Sequence, residues 1–156
     1  MSKLVPFETT LAVRDTCLCL HAQRAARALA RRFDEALRPA GLTNGQFSLL
    51  MALNRPAPVG MQPVARLLAM DRTTLTAALK PLVRDGLVAM AVDPADRRGR
   101  QMSLTTKGEE ALALAVPIWR GLHAAIEAGL DAPGPEILRQ GLRALGRGGP
   151  EDRGPD

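Results

Sequence analysis

Apolar positions along the chain recur mostly at helical spacing, with one short exception. Residues 14–38, RDTCLCLHAQRAARALARRFDEALR, carry apolar side chains at 18, 22, 25, 26, 29, 33 and 37. That spacing follows the 3.6-residue period of an amphipathic helix, and Pro39 and Gly41 end it. T-N-G-Q at 43–46 reads as a capping box, with Thr43 as N-cap and Gln46 three residues on. It opens a second helix, QFSLLMALNR, which Pro56 and Pro58 stop. A short third helix starts near Pro63 and runs through VARLLAM, since proline in the first helical position removes a donor that has no partner there. Asp71 then caps a fourth, DRTTLTAALKPLVRDG, which closes at Gly86. Pro81 lies in its second half and is expected to bend the helix without breaking it.

The period then changes. LVAMAV (87–92) and QMSLT (101–105) are short and β-compatible, with Pro94 and Gly99 supplying turn chemistry between them. The pair reads as a hairpin with DPADRRGRQ (93–101) at its tip. A second capping box, T-K-G-E at 106–109, predicts a long helix to about residue 129, with a kink expected at Pro117. After DAPGP a last helix covers about 135–146, and the Gly- and Pro-rich charged tail, 147–156, is expected to be flexible. Helices three and four, joined by the tight turn AMD, form a helix-turn-helix, and the hairpin after them is its wing. The fold class is mainly α with a small β-hairpin wing.

Composition narrows this picture. A chain of 156 residues with 46% hydrophobic side chains is long and apolar enough for one domain with a real core. An aromatic share of 3% suits helix-on-helix packing better than a sheet sandwich. The net charge of +5 points toward nucleic acid or an anionic membrane surface. No apolar run approaches the roughly 18 residues of a membrane span, and MSKLVPFETT lacks the apolar core of a signal peptide. Two cysteines are too few for a disulfide scaffold, so a cytoplasmic location without membrane partners is expected. The positive charge is concentrated: seven Lys/Arg against four Asp lie between 71 and 107, a local excess of +3. No phosphate-cradling glycine loop, metal-ligand cluster or nucleophile–base–acid set stands out, so neither an enzyme nor a cofactor nor a metal is expected.

DRTTLTAALKPLVRDGLVAMAVDPADRRGRQMSLTTKGEE resembles the winged-helix core of the MarR family of bacterial transcription regulators. The family's D-x-R wing element corresponds to Asp96-Arg97-Arg98, and its L-T-x-x-G to Leu104-Thr105-Thr106-Lys107-Gly108. GLTNGQFSLLMAL resembles the family's second helix, and the order of elements matches through residue 146. The resemblance implies one domain over 1–146: a DNA-binding lobe at about 43–106 and a helical dimerisation region from about 10–40 and 107–146. It also implies a homodimer, held by the first helix and the last two, on a pseudo-palindromic double-stranded operator. A repressor released by a small-molecule effector or by oxidation fits that pattern.

In that setting the fourth helix offers Arg72, Thr73, Thr74 and Thr76 to the major groove. Arginine can bond guanine twice, and threonine presents a hydroxyl and a methyl suited to thymine. Lys80, one turn past Thr76, is placed to meet phosphate. The plainer alternative is that Thr73 and Thr74 only cap the helix and Arg72 is solvated. A β-tip is narrow enough for the minor groove, where arginine reads width and potential. Arg98 fits the family's inserting position, Asp96 is expected to brace it by a salt bridge, and Arg97 and Arg100 are expected to reach flanking phosphates.

Cys17-Leu18-Cys19-Leu20-His21 is the other unusual patch. Some members of the family sense peroxide through a first-helix cysteine, so Cys17 and Cys19 are candidate redox sensors. Against this, the chain has no tyrosine and no distant partner cysteine. Side chains two apart on a helix diverge by about 200°, so a Cys17–Cys19 disulfide requires the helix to unwind. The alternatives are small buried hydrophobes or a metal held by Cys17 and His21. His123 reads as polar filler. Trp119, after Pro117, is either core or, with His21, part of a ligand crevice suited to an amphipathic or aromatic molecule. Two rival functions stay open: a thiol-based redox protein using Cys17 and Cys19, and a winged helix used for protein or RNA contacts.

Overall fold

A computed structural model describes residues 4–147. The helices are α1 (Phe7–Thr16), α2 (Leu18–Leu37), α3 (Asn44–Leu53), α4 (Met61–Leu68), α5 (Arg72–Arg84), α6 (Thr106–Ala128) and α7 (Pro135–Gly146), with a 3-10 turn at Arg38–Ala40. Three short strands, β1 (Val59–Gly60), β2 (Val88–Val92) and β3 (Arg100–Leu104), form one antiparallel sheet in the order β1-β3-β2. The register pairs Val88 with Leu104 and Val92 with Arg100, and Val59 with Met102 on the other edge. This is the winged helix-turn-helix expected from the pattern. The expected flexible tail lies, but for Arg147, outside the described residues.

Several boundaries differ from those the sequence predicts. The first amphipathic segment is two helices that meet at Cys17, whose φ of −70° and ψ of 109° are extended. No glycine or proline marks this break; the Cys17 side chain caps α2 by accepting the Leu20 N–H at 3.4 Å. α4 begins at Met61, so Pro63 is its third residue, still in the first turn where N–H groups are unpaired. It ends at Leu68 because Ala69 turns left-handed at φ 51°. The N-cap of α6 is Thr105, one residue before the capping box expected from the sequence, and it accepts the Gly108 N–H at 3.1 Å. Both α5 and α6 run on through their prolines. The carbonyls that lose a donor, on Ala77 and Ala113, belong to exposed residues where water can replace it.

The core gathers Leu37, Leu49, Leu50, Leu53, Val64, Leu75, Leu79, Leu82 and Met102, each at most 2% exposed. Leu112 and Ala115 bring α6 onto the same cluster. Asp34 docks α2 against the start of α3, its Oδ1 accepting both the backbone and side-chain N–H of Asn44 at 2.7 and 2.8 Å. By contrast α1 and α7 contain no buried residue. Phe7, Val13, Ile137, Leu138, Leu142 and Leu145 are all exposed.

Candidate nucleic-acid interface

α5 is anchored by its apolar side and presents the rest. Leu75, Leu79 and Leu82 face the core, which turns Arg72, Thr73, Thr76 and Lys80 to the surface. At 100° per residue these four lie within about 100° of arc, whereas Thr74 lies about another 100° round. The set expected from sequence therefore divides into a face of four and one outlier. Thr74 serves the helix instead: its N–H donates to Asp71 Oδ1 at 2.7 Å. That bond, above all, holds the Asp71 carboxyl below its usual range. The Thr76 hydroxyl donates to the Arg72 carbonyl at 2.8 Å, which leaves its oxygen able to accept from a base amine.

The wing tip is built by two aspartates. Asp93 Oδ1 accepts the Ala95 N–H and Asp96 Oδ1 accepts the Arg98 N–H, each at 2.9 Å. Side-chain-to-backbone bonds of this i to i+2 kind fold a loop without help from the core. Gly99 N–H donates to the Asp96 carbonyl at 2.9 Å, and a Cβ on Gly99 would lie 3.3 Å from that oxygen. The expected Asp96–Arg98 salt bridge is not formed among the described residues. Asp96 holds the arginine's backbone and leaves its guanidinium free to reach outward. Arg97, Arg98 and Arg100 are all exposed. Their grouping with the α5 face places two cationic elements on either side of one joint.

That joint is a feature the sequence pattern did not single out. The turn 85–87 ends α5 and begins the wing, and the start of α6 grips it. Thr105 Oγ1 donates to the Gly86 carbonyl at 2.6 Å, Lys107 Nζ to the Asp85 carbonyl at 2.7 Å, and Thr105 N–H to the Leu87 carbonyl at 3.1 Å. Gly108 completes it: a Cβ there would sit 2.1 Å from the Leu87 carbonyl oxygen. The L-T-x-x-G pattern was the available signal, its threonine and glycine both being contact residues.

The remaining candidates fall into different surroundings. Cys17 is half-buried at the helix break and Cys19 is exposed, with Gln23 Nε2 donating to its Sγ at 3.2 Å. His21 Nδ1 lies 2.8 Å from the Cys17 carbonyl oxygen, and the ring lies on an open, exposed face of α2 beside Ala25 and Ala28. Arg24, Arg27 and Arg31 share that face, so this corner is cationic. Trp119 stacks between Phe47 and His123, with ring centroids 6.2 and 4.8 Å away, and packs against the core. His123 is thus the end of an aromatic column, and Glu127 beyond it pairs with Arg139 of α7. No cluster of three or more metal-ligating side chains occurs among the described residues, and no helix there is long and apolar enough to cross a membrane.

A capped helix-turn-helix beside an arginine-tipped hairpin defines a winged helix-turn-helix protein. The MarR family model matches residues 40–99, which span α3 to the wing tip. The transcriptional activatory protein BadR of Rhodopseudomonas palustris is 33% identical over 107 residues, covering 66% of this chain and 61% of that one. The transcriptional regulator HosA of Escherichia coli O111:H- is also 33% identical, over 67% of this chain and 77% of its own length. Among solved structures, the M. tuberculosis transcriptional regulator MosR in complex with DNA superimposes with a TM-score of 0.77 at 40% identity, over 85% of this chain and 95% of that one. The chain belongs to the MarR family of transcription regulators. These relatives are regulators and not enzymes, which sets aside the thiol-enzyme alternative.

Proposed function

We propose that the protein is a sequence-specific DNA-binding regulator that acts as a homodimer on a pseudo-palindromic operator. In this reading it is a cytoplasmic repressor, released by an amphipathic or aromatic ligand or by cysteine oxidation. The observation that carries it is the pairing of the exposed Arg72, Thr73, Thr76 and Lys80 face with the exposed Arg97, Arg98 and Arg100 of the wing. The α5 face supplies base-edge chemistry in the major groove, with Lys80 on phosphate. Arg98 enters the minor groove while Arg97 and Arg100 neutralise phosphates. The DNA complex of the similar M. tuberculosis regulator supports the same use of this fold.

The lobe at about 43–106 then binds DNA, and about 10–40 with 107–146 dimerises. Support for the second region is the set of exposed apolar side chains on α1 and α7, two helices with no fully buried residue. Their pairing across a two-fold axis would remove that surface from water. For a ligand, the arginines beside His21 on α2 would attract an anionic end, while Trp119 is occupied by Phe47 and His123.

The test is a fluorescence titration of the protein's own upstream DNA across a salt series, with light scattering for mass. The expected result is a dimer that binds specifically, with half-sites about one helical turn apart and affinity falling steeply with salt. Absence of binding at low salt would favour a winged helix used for protein or RNA contacts.

A further inference from the structure

We infer that Lys107 is a positioning residue for DNA recognition. Its ammonium holds the C-terminal end of α5 on the start of α6, and so sets the angle between recognition helix and wing, without touching phosphate itself. The inference rests on the DNA-binding reading above. Lys107 is one of the seven Lys/Arg between 71 and 107, and charge alone would class it with the DNA-facing arginines. Its surroundings give it another task.

As the second residue of α6, Lys107 carries the wrong sign for its own helix, since the first turn of a helix favours negative charge. It forms no salt bridge among the described residues. Even the Asp85 carboxylate pairs with Arg84 instead, at 3.1 Å. What Nζ reaches is the Asp85 carbonyl oxygen at 2.7 Å, 22 positions back along the chain. Asp85 is the C-cap of α5, so the ammonium sits at the negative end of that helix's dipole, where a cation is favoured. The charge that suits α6 poorly suits the recognition helix well.

The grip on the joint is also divided. The N–H groups of Asp85, Gly86 and Leu87 turn back to the carbonyls of Pro81, Val83 and Leu82 at 2.9, 3.1 and 2.9 Å, with Gly86 left-handed at φ 75°. This closing turn leaves the carbonyls of 85–87 for other partners. Thr105 takes those of Gly86 and Leu87, which lead into β2, and Lys107 takes that of Asp85, which belongs to α5. The wing side is thus held twice and the recognition-helix side once, by a single long side chain. Without it α5 keeps its core anchors Leu75, Leu79 and Leu82, but its end is free to rock about them. The α5 face and Arg98 then no longer meet one duplex at a fixed angle.

The experiment measures affinity for the protein's own upstream DNA across a salt series. It compares the wild type, Lys107→Met, Lys107→Arg, Arg98→Ala and the Lys107→Met/Arg98→Ala pair, with hydrogen exchange on the DNA-free proteins. Lys107 is exposed, so the variants keep the fold, which circular dichroism checks. Lys107→Met is expected to lower affinity about fivefold. Lys107→Arg, which still donates to a carbonyl, changes it by under about twofold. In the Arg98→Ala background the Lys107→Met loss shrinks to under about twofold, because a recognition helix freed of the wing needs no fixed angle to it. Exchange at the Gly86 and Leu87 N–H groups rises in Lys107→Met. Equal losses in both backgrounds overturn the inference, and a salt slope flattened by about one then identifies a phosphate contact. So does wild-type affinity in Lys107→Met, a Lys107→Arg as weak as Lys107→Met, or unchanged exchange at Gly86 and Leu87. If the wild type itself binds no DNA, the regulator reading fails, and exchange alone decides whether Lys107 holds α5.

Discussion

Replacing Gly108 by alanine probes the contact that joins the α6 start to the wing. The added Cβ would meet the Leu87 carbonyl oxygen at 2.1 Å and its carbon at 3.1 Å, so one backbone must retreat by about 1 Å to restore an ordinary contact. Neither side yields easily. Leu87 carbonyl also accepts the Thr105 N–H, and Gly108 N–H is held by Thr105 Oγ1. Overpacking of this kind costs about 1–3 kcal/mol, and a strained or lost cap bond adds about 1 kcal/mol. The helical advantage of alanine over glycine returns about 0.5–1 kcal/mol. The balance is a loss of about 1–3.5 kcal/mol, or roughly 2–14 °C in melting temperature for a domain of this size. Gly121 lies in the same helix, and a Cβ added there would meet nothing within 4 Å, so Gly121→Ala should instead stabilise by about 0.5–1 kcal/mol. Urea and thermal unfolding, at one fixed protein concentration because the stability of the proposed dimer would depend on it, separate the two. If Gly108→Ala unfolds at or above the wild-type midpoint while Gly121→Ala gains, the close approach is not rigid and the reasoning fails.

Three further outcomes are expected. Arg98→Ala should weaken operator binding by about 1–3 kcal/mol and flatten its salt dependence; an unchanged affinity and salt slope in the same titration would remove Arg98 from the interface. Asp71 is held below its usual range chiefly by the Thr74 N–H, so its capping is present above the unfolded-state carboxyl pKa and is lost as pH falls through the lower folded value. Asp71→Asn, which caps without titrating, should therefore show a shallower acid loss of stability by circular dichroism, and an unaltered profile would count against it. Leu142→Glu on the exposed apolar side of α7 should convert the proposed dimer to monomer in light scattering, and a dimer of wild-type affinity would place the interface elsewhere.

The helix-turn-helix and wing are legible in the sequence because each boundary there carries a chemical mark. Thr43 with Gln46, Asp71 before Arg72, and Pro94 with Gly99 all name their own positions. Where the mark is absent, periodicity alone misleads. The break at Cys17 has no proline or glycine, only a sulfur cap, so the apolar pattern runs straight across it. Ala69 turns left-handed without a glycine, so the pattern carries α4 too far. α1 escapes notice because it has no fully buried residue and shows no apolar stripe, although Pro6 marks its start. β1 is two residues long, below the length at which alternation can show. At the site, residue types are readable but their orientation only in part. Thr74 facing away from Arg72 follows from helix phase alone once the helix is placed, whereas Asp96 holding backbone rather than guanidinium depends on loop geometry.

The grip of α6 on residues 85–87 has a mechanical consequence. α5 and the wing meet at that turn, and both are bonded to the same few residues at the α6 start. They therefore swing together, as two tines of one fork whose handle is α6. Five strand residues separate the grip from the tip loop, a lever of about 17 Å. A turn of the handle by about 10° shifts the tip by about 3 Å, close to the rise of one base pair. A modest tilt between two such handles in a dimer would move both forks out of step with the double helix, with no rearrangement inside either one.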